Sequence, residues 1–221
     1  ERRRVWLPVR FGPFVIPVPR TVARSVQGPV LENQLGAFAV RFAGMGDVRQ
    51  VEQYYRLNKA RDFAEWQQVM AMQAVPATNF IYADAAGNTA MFYNARFPQR
   101  ATGFDWKGVL PGDTSKAVWK SYVPFAGYPQ VINPPSGWVA NSNNTPFIAS
   151  APGDNLDAAK FAPEMGIESF ITNRAMRFQS LFAALGDGPI GRDALLAIKF
   201  DKAYDRASWA GNRQRQILAL D

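Results

Sequence analysis

Apolar residues follow two different periods along this chain, and the places where the period changes divide it. The opening "ERRRVWLPVRFGPFVIPVP" alternates like a strand, and residues 13–43 stay β-branched and apolar. Within them "FVIPVPRTVARS" (14–25) carries two prolines, which remove ladder donors and predict an edge or bent strand. "VQGPVLEN" predicts a turn and a short strand, and "GAFAVRFAG" a half-buried strand. From Asp47 the period becomes helical. "DVRQVEQYYRLNKA" spaces Val48, Val51, Tyr54 or Tyr55 and Leu57 along one face. A second helix follows in "DFAEWQQVMAMQ", opened by Asp62 and Glu65 in capping-box spacing, with Phe63, Trp66 and Val69 or Met70 as its buried stripe.

"ATNFIYADAAGNTAMFYNARF" then predicts a β-hairpin, its two aromatic runs flanking "DAAGN", where Gly87 and Asn88 supply positive φ and Asp84 shapes the turn. Helices resume in "TNRAMRFQSLFAAL", capped by Thr172 or Asn173, and in "GRDALLAIKF", before a polar basic tail. Between hairpin and helices, residues 97–163 are rich in Pro, Gly, Asn and Asp and show little periodicity. A loop of that length in a compact domain tends to be functional when it is ordered. Its densest part, "NPPSGWVANSNNTPF" (133–147), packs four asparagines, three prolines, a glycine and a tryptophan into fifteen positions. Two explanations stand. Asn, Gly and Pro build turns through backbone geometry, and asparagine amides donate N–H groups without carrying charge, as a developing oxyanion requires.

Composition narrows the chemistry. The 221 residues are 48% hydrophobic and 13% aromatic, enough for a substantial core. No apolar run approaches the roughly 20 residues of a membrane helix. Cysteine is absent, which excludes disulfides, thiolate metal sites and a thiol nucleophile. Histidine is absent too, so there is no Ser-His-Asp triad and no imidazole ligand, acid or base. The net charge of +7 would suit nucleic acid, but the basic residues are dispersed outside "ERRR" and "NRQRQ", and no binding module contains them. A solvated basic surface, with no nucleic-acid partner, is the expectation. The chain has no start methionine and no signal-peptide pattern, as expected of an internal piece of a longer product.

Simple motifs are uninformative. "DGPIGRD", "KFDKAYD" and "PGDNLD" lack the EF-hand pattern, so capping and turn roles are expected for their aspartates. "FAGMGD" is a lone G-x-G without the dinucleotide fingerprint. Trp106, Trp119 and Trp138 are expected to anchor core or loop.

The order of segments carries more. "NFIYADAAGN" (79–88), "ARFPQR" (95–100), "LPGD" (110–113), "VWKSYVPF" (118–125), "YPQVINPPSGWVANSNNTP" (128–146) and "TNRAMRF" (172–178) together resemble the penicillin acylase family of N-terminal nucleophile amidases. The resemblance covers most of the chain, most clearly residues 79 to 178. It implies an α+β segment of a four-layer αββα fold, residues 1–221 forming one piece of the catalytic β chain. It further implies hydrolysis of a linear amide through an acyl-enzyme on an N-terminal serine whose own α-amine is the base. A chain without histidine suits that chemistry.

On the same resemblance Asn143 matches the oxyanion-hole asparagine and Arg174 an arginine of the supporting polar network. Asp154 falls where some members place a calcium ligand, so the cofactor expectation is none, with calcium the one candidate. Asn141 and Asn144 are expected to hold the loop around Asn143, and Asn79 to cap backbone. Glu1 cannot serve as the nucleophile, which the family places upstream, so this segment alone is expected to be inactive. The expected partners are the rest of the precursor (α chain and remaining β chain) and a small acylated amide, with no membrane. The expected compartment is the periplasm or the exterior. The alternative is a non-catalytic structural or binding domain in which Asn143 only forms a turn.

Overall fold

A computed structural model describes residues 1–93, 96–186 and 188–220. Ala95 of "ARFPQR" and Asp187 of "DGPIGRD" lie outside them. Strands and helices are segregated, as expected of an α+β chain. Strands β1 (Arg2–Phe11) and β2 (Phe14–Arg24) form an antiparallel ribbon closed by Gly12-Pro13. Strand β3 (Pro29–Asn33) meets β2 only at Ala23 and Arg24 and pairs fully with β4 (Gly36–Ala39). Pro17 and Pro19 therefore lie where β2 has a neighbour on one side only, the position in which a missing N–H costs nothing.

The expected half-buried strand over "GAFAVRFAG" is shorter and more exposed. It ends at Ala39, and within it Phe38 alone is half-buried, because no second layer covers this sheet among the described residues. The ribbon tip is likewise bare, with Phe11 74% and Phe14 68% exposed.

Helix α1 (Gln50–Leu57) corrects the expected stripe. Val48 and Val51 are 90% and 79% exposed and Tyr55 faces outward, while Tyr54 is partly covered, its ring beside Phe80. Of the predicted positions only Leu57 joins the core, while the fully buried residue of the helix is Gln53. Gln53 Oε1 accepts from the backbone N–H groups of Ala74 (2.6 Å) and Val75 (3.1 Å), and Nε2 reaches Met70 Sδ at 3.8 Å. The turn leaving the next helix has no ladder for those N–H groups, and a buried glutamine supplies the acceptor. Helix α2 (Phe63–Met70) starts as expected, with Asp62 accepting from Glu65 N at 2.8 Å. It buries Trp66 and Met70, with Phe63 packed beside them.

Strands β5 (Phe80–Ala83), β6 (Thr89–Phe92) and β7 (Gln130–Ile132) form the second sheet, with β6 in the middle. Gly87 takes φ +90° in the hairpin turn. Asn88 is not among the positive-φ residues, contrary to expectation. It works through its side chain instead, Nδ2 and the backbone N–H donating to the two oxygens of Asp84 at 2.8 and 2.9 Å. That side-chain amide is the main influence holding the Asp84 carboxyl below its usual range.

Successive residues of β6 point to opposite faces. Ala90 and Phe92 pack under α2 with Trp66 and Met70, while Met91 packs on the other face with Val131 and Ala149. A third cluster, Phe97, Tyr128 and Met165, lies farther along the irregular segment. That segment contains short 3₁₀ turns and β7 but no long helix.

Helices α3 (Asn173–Ala183) and α4 (Arg192–Phe200) follow, joined by a bidentate Arg177–Asp201 pair at 2.8 and 2.7 Å. The polar basic tail holds a further helix. Trp209–Leu218 form α5, capped by Ser208, whose Oγ accepts from Gly211 N at 3.0 Å. A Cβ on Gly211 would stand 2.1 Å from the Asp205 carbonyl oxygen, so the helix can seat there only on glycine.

Two outcomes are expected. Gln53→Leu removes the side-chain acceptor of the buried Ala74 and Val75 N–H groups and should cost about 2 kcal/mol or more, read as a lowered urea midpoint. Burial pushes the Tyr128 phenol up to about 12, whereas an unfolded tyrosine ionises near pH 10. The stability contributed by its neutral form is complete below about pH 10 and lost as the pH rises through about 12. Tyr128→Phe should flatten that alkaline loss and remove one late-ionising phenol from a 295-nm titration.

Candidate active site

The irregular segment has few ladder partners, so its shape depends on side chains that answer backbone groups. Four asparagines divide this work. Asn133, at φ +47°, serves the sheet: Oδ1 accepts from Thr89 N at 2.9 Å, and Nδ2 donates to Asn88 Oδ1 at 3.0 Å. Asn144 is 1% exposed and serves its own loop. Its Oδ1 accepts from Ser142 N at 2.7 Å, and Nδ2 donates to the Thr145 carbonyl at 2.9 Å. Asn141 Oδ1 accepts from Asn143 N at 3.0 Å, an Asx turn that holds the next residue but one.

Asn143 differs from the other three. It is exposed, its backbone sits in the left-handed region at φ +61°, and its Oδ1 accepts from Arg174 Nη2 at 2.7 Å. A guanidinium only donates, so the contact assigns the amide orientation and turns Nδ2 away from Arg174. Among the described residues nothing accepts from that Nδ2. The result is an uncharged N–H donor fixed at both ends of its residue and open on its outer side.

Arg174 is placed by α3. Thr172 Oγ1 accepts from Ala175 N at 3.1 Å and starts the helix, putting Arg174 in its first turn. A cation there opposes the helix dipole. Such a local conflict is a sign of function that the sequence carries.

The sequence-selected residues fall into three places. Asn143, Arg174, Asn141 and Asn144 come together, and Asn79 joins them through Nδ2 to Asn141 Oδ1 at 3.2 Å. Asn79 was expected to cap backbone; its Nδ2 donates to a side chain instead. Asp84, Gly87 and Asn88 form the hairpin turn, and Asn133 ties it to the loop.

Asp154 stands apart. Its Oδ2 accepts from Ser136 N at 2.8 Å, in a stretch further pinned by Ser150 Oγ to the Trp138 carbonyl (2.8 Å) and by Asn155 to both backbone groups of Ser150. Calcium takes six to eight oxygens or so. Among the described residues no group of three His, Cys, Asp or Glu residues that could hold a metal comes together, and Asp154 is the one calcium candidate in this chain, with further ligands expected from outside it. Beside this stretch an open cleft of about 1000 Å³ runs along α3, with Trp138 stacked on Phe182 at 4.3 Å in its wall. Trp106 and Trp119 lie together elsewhere, Trp119 beneath Arg41.

A family model described as penicillin amidase matches residues 1–213. The chain belongs to the penicillin amidase family. Penicillin G acylase of Escherichia coli is 37% identical over 130 residues, 57% of this chain and 15% of that protein. An acyl-homoserine lactone acylase of Pseudomonas fluorescens is 26% identical over 215 residues, 92% of this chain and 26% of that protein. A solved structure of thermostable penicillin G acylase from Alcaligenes faecalis matches with a TM-score of 0.63 at 25% identity. The match covers 83% of this chain and 31% of that one. The fold is thus a mixed α+β segment of the N-terminal nucleophile hydrolase fold, and the chain spans under a third of the length of these penicillin amidase relatives. No described helix is long and apolar enough to cross a membrane.

The division of labour among the asparagines predicts opposite stability effects. Asn144→Ala takes the acceptor from Ser142 N–H and one of two donors from the buried Thr145 carbonyl, and should cost about 2 kcal/mol. Asn143→Gly keeps the left-handed backbone and should change stability by no more than about 0.5 kcal/mol. Thermal melts of the two variants in the complete protein check this.

Proposed function

We propose that this chain is part of an amidase that hydrolyses a linear carbon–nitrogen amide, and that Asn143 donates to the oxyanion formed there. The observation that carries the reading is the 2.7 Å contact from Arg174 Nη2 to Asn143 Oδ1, which leaves the amide N–H outward. Membership of the penicillin amidase family supports the reaction class.

On this reading a serine at a chain N-terminus, supplied by polypeptide other than these residues, attacks the amide carbonyl. Its free α-amine takes the hydroxyl proton and passes it to the departing nitrogen. Charge develops on the carbonyl oxygen and is held by Asn143 Nδ2 together with a backbone N–H from elsewhere. Arg174 acts through the same amide. Donation into Oδ1 polarises the group, strengthening its N–H as a donor without bringing a mobile cation to the substrate. Collapse of the intermediate expels the amine and leaves an ester, which water cleaves by the reverse proton path.

The acyl amide itself is small, and the rest of the precursor completes the site. This chain alone has no nucleophile on that reading and is expected to show no turnover. The same family membership is what suggests an exported, periplasmic enzyme.

The test is Asn143→Gly in the complete enzyme. An oxyanion donor predicts a fall in kcat of about 10²–10³-fold with little change in KM and an unchanged melt. Wild-type turnover would falsify the reading and leave Asn143 as a turn residue. Arg174→Ala is expected to lower kcat by about tenfold, with the loss absent in the Asn143→Gly background.

A further inference from the structure

We infer that Asn79 is a positioning residue for the Asn143 amide, acting through Asn141. The inference rests on the reading of Asn143 as oxyanion donor and adds a member that the sequence assigned to backbone capping. Asn79 immediately precedes β5, and its neighbour Phe80 is paired with Phe92 of the buried central strand. It is therefore placed by the second sheet, across 62 residues of sequence from its partner.

The orientation of each amide in the series follows from the one before. Asn143 N–H can only donate, so the atom of Asn141 that meets it at 3.0 Å is Oδ1. Since that oxygen is the acceptor, Asn79 must present Nδ2 to it, at 3.2 Å. Oδ1 then has both lone pairs engaged, one by the loop and one by the sheet. The two donors fix the Asn141 side chain, and Asn141 in turn fixes the backbone of Asn143 at φ +61°, a conformation an exposed loop does not hold cheaply in a residue bearing a Cβ.

Asn143 is thereby restrained twice, at Oδ1 by Arg174 on a helix and at its own N–H by Asn79 and Asn141 from the sheet. A donor aimed at a transition state needs support of this kind, since a displacement near 1 Å costs about 10²-fold in rate. Asn79 touches no reacting atom on this account. Its effect is confined to kcat and passes wholly through Asn143.

The experiment uses the complete enzyme and an acyl nitroanilide that the wild type hydrolyses. Asn79→Asp is nearly isosteric, replaces the donor by an acceptor, and is expected to lower kcat about tenfold or more with KM and melting temperature little changed. Asn79→Ser, which retains a hydroxyl donor, is expected to recover part of that loss. In the Asn143→Gly background Asn79→Asp should have no further effect. Wild-type kcat in Asn79→Asp, no advantage of Ser over Asp, or a loss that persists undiminished in the Asn143→Gly background would each overturn the inference. The third comparison decides even where Asn79→Asp lowers the melting temperature, because a merely structural defect adds to the loss at Asn143. Full turnover in Asn143→Gly alone would instead remove the reading on which the inference rests, so the two failures are told apart.

Discussion

Burial of β6 on both faces is the constraint from which the rest of the chain follows. Ala90, Met91 and Phe92 are at most 1% exposed, and a strand of this kind must find cover above and below. Trp66 and Met70 of α2 cover the side of Ala90 and Phe92. Among the described residues no α-helix packs on Met91. Val131 and Ala149, from the segment without long regular structure, do so, with Val139 and Leu156 beside them. The apolar demand of one methionine thus draws residues 131–156 against the sheet and brings the asparagine loop with them. Packing decides where that loop lies, and hydrogen bonds decide its shape.

The loop then meets the problem of buried backbone without a ladder, and meets it with amides. Gln53, Asn133, Asn144 and Asn155 all answer main-chain groups from the side chain. An amide is suited to this because it carries donor and acceptor together and needs no counter-charge. It also explains the composition of "NPPSGWVANSNNTPF". Of the two explanations open at the outset, turn chemistry accounts for Asn133, Asn141 and Asn144, which answer backbone, while the side-chain Nδ2 of Asn143 is left over and is the group to which the proposed donor chemistry is assigned.

Regular elements were legible wherever periodicity and capping agreed. Asp62 and Thr172 mark their helix starts, and the second hairpin lies where its aromatic runs place it. What the pattern could not say was which surface meets a neighbour. The α1 stripe reads as core, yet Val48 and Val51 are exposed, because periodicity records an apolar face and not its cover. Gln53 was invisible for the opposite reason, being polar at a position whose demand comes from a turn twenty-odd residues away. The last helix was hidden by its polarity. Within the site, Asn143 and Arg174 could be chosen from the segment order, but their contact spans 31 residues and Asn79 reaches across 62, separations at which a single sequence carries no signal.

The left-handed backbone of Asn143 has a consequence for how this position can vary. Glycine adopts that conformation freely but has no side chain. Glutamine offers the same amide on a longer stem, with a backbone that resists positive φ. Aspartate tolerates the conformation but presents acceptors only. Each demand has several solutions, and their intersection among the common amino acids is nearly a single residue. A lineage drifting at this site has almost no neighbouring sequence that preserves both backbone and donor. On the proposed role, a substitution at Asn143 therefore forfeits either the backbone or the donor, a double demand that no position of the exposed first sheet carries.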